Sequence, residues 1–288
     1  MKTSLVACAL GVGAVLAAPT KRAITDTDIL QYALTLEHLE NNFYSTYLGQ
    51  FSQSDFAAAG FPDWVRNRIE QIAAHEAQHV ALLSGALGSA ATQPCSYKFP
   101  VTDVMSFVGL ATVVENVGVS AYLGAAASIM DKEYVTVAGS ILTTEARHQA
   151  WINSAVLKDA AWSGPEDTAL DFDEVYSIAS AFITGCPSSN PTLPVKAFPA
   201  LTIGSDGTVT TTADTSNAYV QVIAGLTTDT FPVTNGMVQG MPQPQGISYA
   251  VLTSQQNSTL VSDDNILAGP AILHNPFVSQ DSNPAPSF

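Results

Sequence analysis

The stretch His75-Glu76-Ala77-Gln78-His79 holds a glutamate and a histidine three residues apart, and Glu145-Ala146-Arg147-His148 holds the same pair again. On a helix, residues i and i+3 lie one turn apart on one face, so a carboxylate and an imidazole at that spacing can grip one ion. Histidine is scarce in this chain, with five in 288 residues. Two Glu-x-x-His by chance therefore has odds on the order of one per cent.

Working outward, both motifs sit in helical patterns. Residues 64–87 and 132–158 recur apolar at helical spacing, with Asp131 as N-cap of the latter. Before the first motif, Thr25 caps a helix whose Asp28 stands in a capping-box position; Leu30, Ala33, Leu34, Glu37, Glu40 and Tyr44 follow at helical spacing, and Gly49 marks a stop. Between the motifs, residues 88–100 hold Cys95 and two prolines and read as a crossover loop. A helix then runs from near Asp103 to Met130. It is apolar on nearly every side, so a membrane span must be weighed, but Glu115 and Asn116 stand at its centre, where a charge facing lipid is costly. A central helix of a soluble bundle explains the pattern better. A shorter helix, residues 171–184, ends at Gly185-Cys186-Pro187.

Six side chains then converge in one bundle core: Glu37, Glu76, His79, Glu115, Glu145 and His148. Four ionised glutamates brought together in an apolar interior would repel one another and lose hydration. Two divalent cations supply four positive charges and cancel them. Oxygen-rich coordination with two imidazoles suits iron or manganese better than zinc, and carboxylates can bridge ions about 3.5–4 Å apart. Glu40, one turn from Glu37, is the alternative ligand on the first helix. His38 and His75 adjoin ligands and so turn about 100° away, toward the outside. Trp151 reads as packing.

Over residues 24–200 the chain resembles the ferritin-like superfamily, and within it the secreted fungal ferritin-like proteins related to the stress-response protein Rds1 and the late sexual development proteins. The carriers are residues 34–44 (LTLEHLENNFY), 75–79 (HEAQH), Val114-Glu115-Asn116 and 145–148 (EARH). The resemblance implies a mainly α fold: a four-helix bundle with one long crossover, metals held by the six positions above, and Tyr44 as a tyrosine near the metals. Two iron ions, or two manganese ions, are the expected cofactors, with O2 or peroxide as co-substrate in stress or development. A ferroxidase or other oxidoreductase and a manganese-catalase-like peroxide disproportionation are the enzymatic readings. A non-enzymatic metal-binding protein of the cell wall is the other class.

The remaining sequence bears on location. Residues 1–18 have a basic start at Lys2, an apolar run and a small-residue cleavage site, which is a secretory signal peptide. Residues 19–22 end in the dibasic pair Lys21-Arg22, a processing site that would leave a mature chain from Ala23. Cys8 leaves with the signal, so Cys95 and Cys186 can form one disulfide in an oxidising compartment; two free thiols are the competing reading. Asn257-Ser258-Thr259 is an N-glycosylation acceptor. These features point to an extracellular or cell-wall protein with no membrane span after signal removal. The formal charge of −15, or −18 without Lys2, Lys21 and Arg22, argues against nucleic acid as a partner.

After the bundle (23–187), residues 188–196 form a proline-rich linker. Residues 197–278 read as an all-β module with an Asp206-Gly207 hairpin turn and no motif for chemistry, a packing or stabilising appendage. Residues 279–288 read as a disordered tail.

Overall fold

The computed structural model describes residues 23–256 and 261–282. The expected signal peptide, the Lys21-Arg22 pair, Asn257 and residues 283–288 lie outside them.

Four long helices form the bundle: α1 (Asp26–Gln50), α3 (Asp63–Leu87), α4 (Val104–Ala125) and α5 (Lys132–Trp151). The expected caps act where their chemistry allows. Thr25 and Asp28 close a capping box, and Asp131 Oδ1 accepts from Glu133 N at 2.8 Å, each satisfying amides that the helix start leaves without partners. The sequence pattern missed α2 (Gln53–Ala58), a short helix with its own capping box from Ser52 and Asp55, placed between α1 and α3. It also missed that the last part of the fourth helix, Ile152–Leu157, is π-helical and ends at Lys158 in a left-handed conformation, φ 65°.

α1 packs along α3 and α4 along α5, and α1 meets α4 to join the two pairs. The crossover between α3 and α4 carries the two-residue strand β1 (Ser96–Tyr97). That strand pairs with β2 (Ile183–Gly185), which follows α6 (Phe172–Ser180). The fifth helix of the sequence reading is therefore shorter than expected, because its last residues turn extended to meet the crossover. Beside this pairing, Cys95 and Cys186 form a disulfide with Cα atoms 4.2 Å apart.

The C-terminal half forms a hairpin of β3 (Leu201–Ile203) and β4 (Val209–Thr211), turned at Asp206-Gly207, and a five-stranded antiparallel sheet. The sheet's strands are β5 (Tyr219–Ala224), β6 (Thr227–Thr234), β7 (Met237–Val238), β8 (Gly246–Thr253) and β9 (Ile266–Asn275), in the order β7-β6-β5-β8-β9. Strand β8 is buried at every residue, because both its faces are covered. Ile247 and Tyr249 enter the main core with the helices, while Ala250 and Leu252 pack with Leu201 and Val209 of the hairpin.

This placement explains why α4 is apolar all round. It touches α1, α5 and α6, and the sheet lies over it: Tyr249 Oη is 2.9 Å from Asn116 Oδ1 and 3.0 Å from Ser120 Oγ. Gly124 lets the backbone of Leu170 run against α4, where a Cβ would stand 1.7 Å from the Leu170 carbonyl oxygen. The helix is long and apolar enough to cross a bilayer, yet most of it is buried inside the protein. The proline-rich stretch lies along α6: Lys196 N donates to Asp173 Oδ1 at 3.0 Å and Phe198 N to Ser177 Oγ at 2.8 Å.

Candidate metal centre

Each long helix contributes inward side chains at one level of the bundle: Glu37 from α1, Glu76 and His79 from α3, Glu115 from α4, Glu145 and His148 from α5. All four glutamates have no exposed surface, and His148 is buried. They form two groups, Glu37–Glu76–His79–Glu145 and Glu76–Glu115–Glu145–His148, in each of which one ligand atom per residue lies within 4.8 Å of the others. Glu76 and Glu145 belong to both groups and stand between them. Each group also has one glutamate and one histidine of its own.

Both histidines point Nδ1 into the carboxylates. His79 Nδ1 is 3.1 Å from Glu76 Oε2, 3.1 Å from Glu145 Oε1 and 3.3 Å from Glu37 Oε2. His148 Nδ1 is 3.1 Å from Glu115 Oε2 and 3.2 Å from Glu76 Oε1. A single N–H cannot serve so many acceptors. Among the described residues no well-formed hydrogen bond reaches Glu37 Oε2, Glu76 Oε1 or either oxygen of Glu145, all of them buried, and such atoms are costly unless something positive meets them. The donor set, four carboxylates and two imidazole nitrogens, is what a pair of divalent cations needs. The residues present fit that group.

Protonation in the metal-free protein tells the same story. Burial pushes Glu37 up to about 7 against the pull of His79, and burial with neighbouring carboxylates raises Glu145 and Glu40 well above the ordinary range. Burial acts on Glu76 in the same direction, but the hydrogen bonds from His148 and His79 outweigh it and its pKa falls. Burial lowers the histidines, yet bonds to the carboxylates more than reverse this, leaving His79 at about 10 and His148 at about 9. Protons thus do part of the neutralising that cations would do.

Two tyrosines hold the outer oxygens. Tyr44 Oη donates to Glu115 Oε1 and Tyr122 Oη to Glu37 Oε1. Tyr44 stands seven residues after Glu37, and Tyr122 seven after Glu115, so each helix's tyrosine reaches across to the other helix's glutamate. Tyr44 is expected near the centre from the sequence and Tyr122 is not, although it stands at the same spacing from its glutamate.

Glu40, the alternative ligand, lies outside both groups. It faces Gly118, where an added Cβ would stand 2.8 Å from Glu40 Oε1 and 3.1 Å from Glu145 Oε2. A narrow cavity of about 20 Å3, lined by Leu36, Leu39, Val114, Val117 and Ile178, reaches Glu40 and Gly118. His38 departs from its expected outward placement, whereas His75 keeps it. His38 is buried with Nε2 3.0 Å from the Thr92 carbonyl oxygen of the crossover, which a helix-only view cannot foresee. His75 is exposed, but its Nδ1 lies 2.9 Å from His148 Nε2 and the two rings stack at 5.1 Å. Trp151 is half-buried against Trp64, with ring centres 5.9 Å apart.

A bundle of this topology with these residues at its centre defines the ferritin-like class, and residues 25–158 match the Ferritin-like domain family. The chain carries a ferritin-like domain and is related to Protein rds1 of Schizosaccharomyces pombe, to which it is 27% identical over 225 residues. That similarity spans 75% of this chain and 55% of the relative, so the chain covers about half the length of the curated relative it matches.

Proposed function

We propose that the protein binds a dinuclear metal centre, iron in the first instance and manganese as the alternative, and uses it as an oxidoreductase acting on dioxygen or peroxide. The observation that carries this is the shared position of Glu76 and Glu145 between two otherwise separate residue groups, with four buried carboxylate oxygens that no well-formed hydrogen bond reaches among the described residues. A bound pair of redox-active ions would supply the electrons for reducing the oxidant.

The chain's own residues do the rest. His79 and His148 would bind through Nδ1. The Tyr44 and Tyr122 hydroxyls fix the Glu115 and Glu37 carboxylates in place and leave their other oxygens facing the histidines and the centre, a supporting arrangement that holds ligands in orientation. Gly118 keeps side-chain bulk away from Glu145, and the apolar cavity beside it is suited to a small uncharged oxidant while excluding charged solutes. Export to an oxidising compartment is part of the proposal, supported by the Cys95–Cys186 bond.

Elemental mass spectrometry on the protein from its native host tests the reading, beside the Glu76→Ala/Glu145→Ala variant. About two iron or manganese atoms per chain, lost in the variant, is the expected result; dioxygen and peroxide consumption assays then separate the two chemistries. No metal in a folded wild-type protein would overturn it.

A further inference from the structure

From Ala23 onward the chain has seven basic side chains, Arg66, Arg68, Lys98, Lys132, Arg147, Lys158 and Lys196, against a strongly acidic total. Of its three arginines, Arg66 is fully engaged: it pairs with Glu70 and donates to the carbonyl oxygens of Phe51 and Leu48. Among the described residues the other two bond only to neutral groups. Arg68 Nη1 donates to Gln71 Oε1 at 2.5 Å and Arg147 Nη2 to Thr144 Oγ1 at 3.0 Å.

Arg68 on α3 and Arg147 on α5 line one solvent-open cleft of about 470 Å3 between these helices. The same cleft is lined by His79 and His148 of the candidate centre, by His75, which stacks on His148, and by Trp151. Two guanidinium groups with no carboxylate partner among the described residues, in a concave site of an otherwise acidic protein, make a local positive field where anions gather. Their planar donor forks match the paired oxygens of a carboxylate or phosphate. The cleft has the volume of a small-molecule site. It lies between α3 and α5, whereas the apolar cavity at Gly118 is lined by α1, α4 and α6 residues. Two different molecules would thus have two different approaches.

We propose that this cleft binds a small oxyanion-bearing molecule, a carboxylate or a phosphate, with Arg68 and Arg147 as its counter-charges. Calling that anion a substrate rests on the metal reading above; its binding does not.

The test uses the full mature chain, titrated with succinate and with inorganic phosphate at constant ionic strength, with chloride as control. Calorimetry and tryptophan fluorescence follow the binding, since Trp151 lines the cleft. Saturable binding of either anion, weakened at least about tenfold in Arg68→Gln/Arg147→Gln, is expected, and the responding anion names the class. A response no greater than that of chloride, or one equal in wild type and variant, overturns the proposal. Metal content measured on the same samples keeps the two readings apart. Metal without anion binding sinks only the cleft, and anion binding on metal-free wild-type protein sinks only the metal reading.

Discussion

The α1–α3 pair and the α4–α5 pair repeat one another at the ligands and diverge immediately beside them. Each offers a glutamate, a tyrosine seven residues on, and a Glu-x-x-His: Glu37, Tyr44, Glu76 and His79 in one, Glu115, Tyr122, Glu145 and His148 in the other. Three residues after the first glutamate, one pair has Glu40 and the other Gly118; one residue after it, His38 stands against Asn116. Just before the motif, His75 corresponds to Thr144. The candidate ligand positions are fixed by what must meet at the centre, so they match. Flanking positions answer to what covers each helix: the crossover meets His38 at Thr92, and the sheet meets Asn116 through Tyr249. The repeat is a property of the site, and the differences are properties of the packing around it.

The largest expected effect separates shared from unshared ligands. Alanine at Glu76 or Glu145 should remove both ions, whereas Glu37→Ala or Glu115→Ala should leave about one per chain, because each touches a single group. Elemental analysis of the four variants reads this directly. Equal loss in all four would mean that the two groups do not act as halves.

Next is a pH dependence of opposite sign with and without metal. In the metal-free protein Glu37, Glu145, His79 and His148 hold protons more tightly folded than unfolded. Their stabilisation is complete below the unfolded values, 4.5 for glutamate and 6.5 for histidine. It is lost as pH rises through the folded ones, about 7 for Glu37, 9 for His148 and 10 for His79. Glu76, shifted downward, works against this trend. The Tm of the metal-free protein should therefore fall as pH rises from about 5 to 10. Metal affinity should rise over the same interval, since cations displace those protons. Calorimetry at stepped pH would show protons released on metal binding; a metal-free Tm that climbs across this range would contradict the assignment.

A smaller effect probes the Glu40–Gly118 asymmetry. In Gly118→Ala the new methyl meets the Glu40 and Glu145 carboxylates, an overpacking cost of about 1–3 kcal/mol set against a helix-propensity gain of about 0.5–1 kcal/mol. Urea unfolding should show a net loss that Glu40→Ala partly restores in the double variant; strict additivity would show that the two positions do not oppose each other. Smallest is the pair Tyr44→Phe and Tyr122→Phe. Each leaves one buried carboxylate oxygen without its donor, for about 1–2 kcal/mol. The two losses should agree closely if the cross-helix bonds are equivalent.

The bundle was legible because its long helices show in their caps or their period: Thr25 with Asp28 for α1, Asp131 for α5, the apolar spacing of α3, and the apolar length of α4 around Glu115. The convergence of the six ligand positions was legible for the same reason, since helical spacing alone puts Glu76 with His79 and Glu145 with His148 on common faces. What was not legible depends on partners far away in the chain. His75 reaches His148 only because α3 lies beside α5, and His38 is buried only because the crossover folds over α1. The tight fit of the sheet on α4 rests on Tyr249 meeting Asn116 and Ser120, contacts between residues more than a hundred positions apart. Even the short α2 went unseen, its Ser52–Asp55 box being too brief a signal to stand out from a turn.

The Cys95–Cys186 bond closes a covalent ring spanning 91 positions. Glu115, Glu145 and His148 lie inside that ring; Glu37, Glu76 and His79 lie on the arm that leads into it. A single cut anywhere between the two cysteines opens the ring without releasing a fragment. A cut on the arm, within residues 88–94, frees α1 and α3 as a separate chain. Under non-reducing conditions, one proteolytic event is therefore silent in one half of the site and splits the molecule in the other.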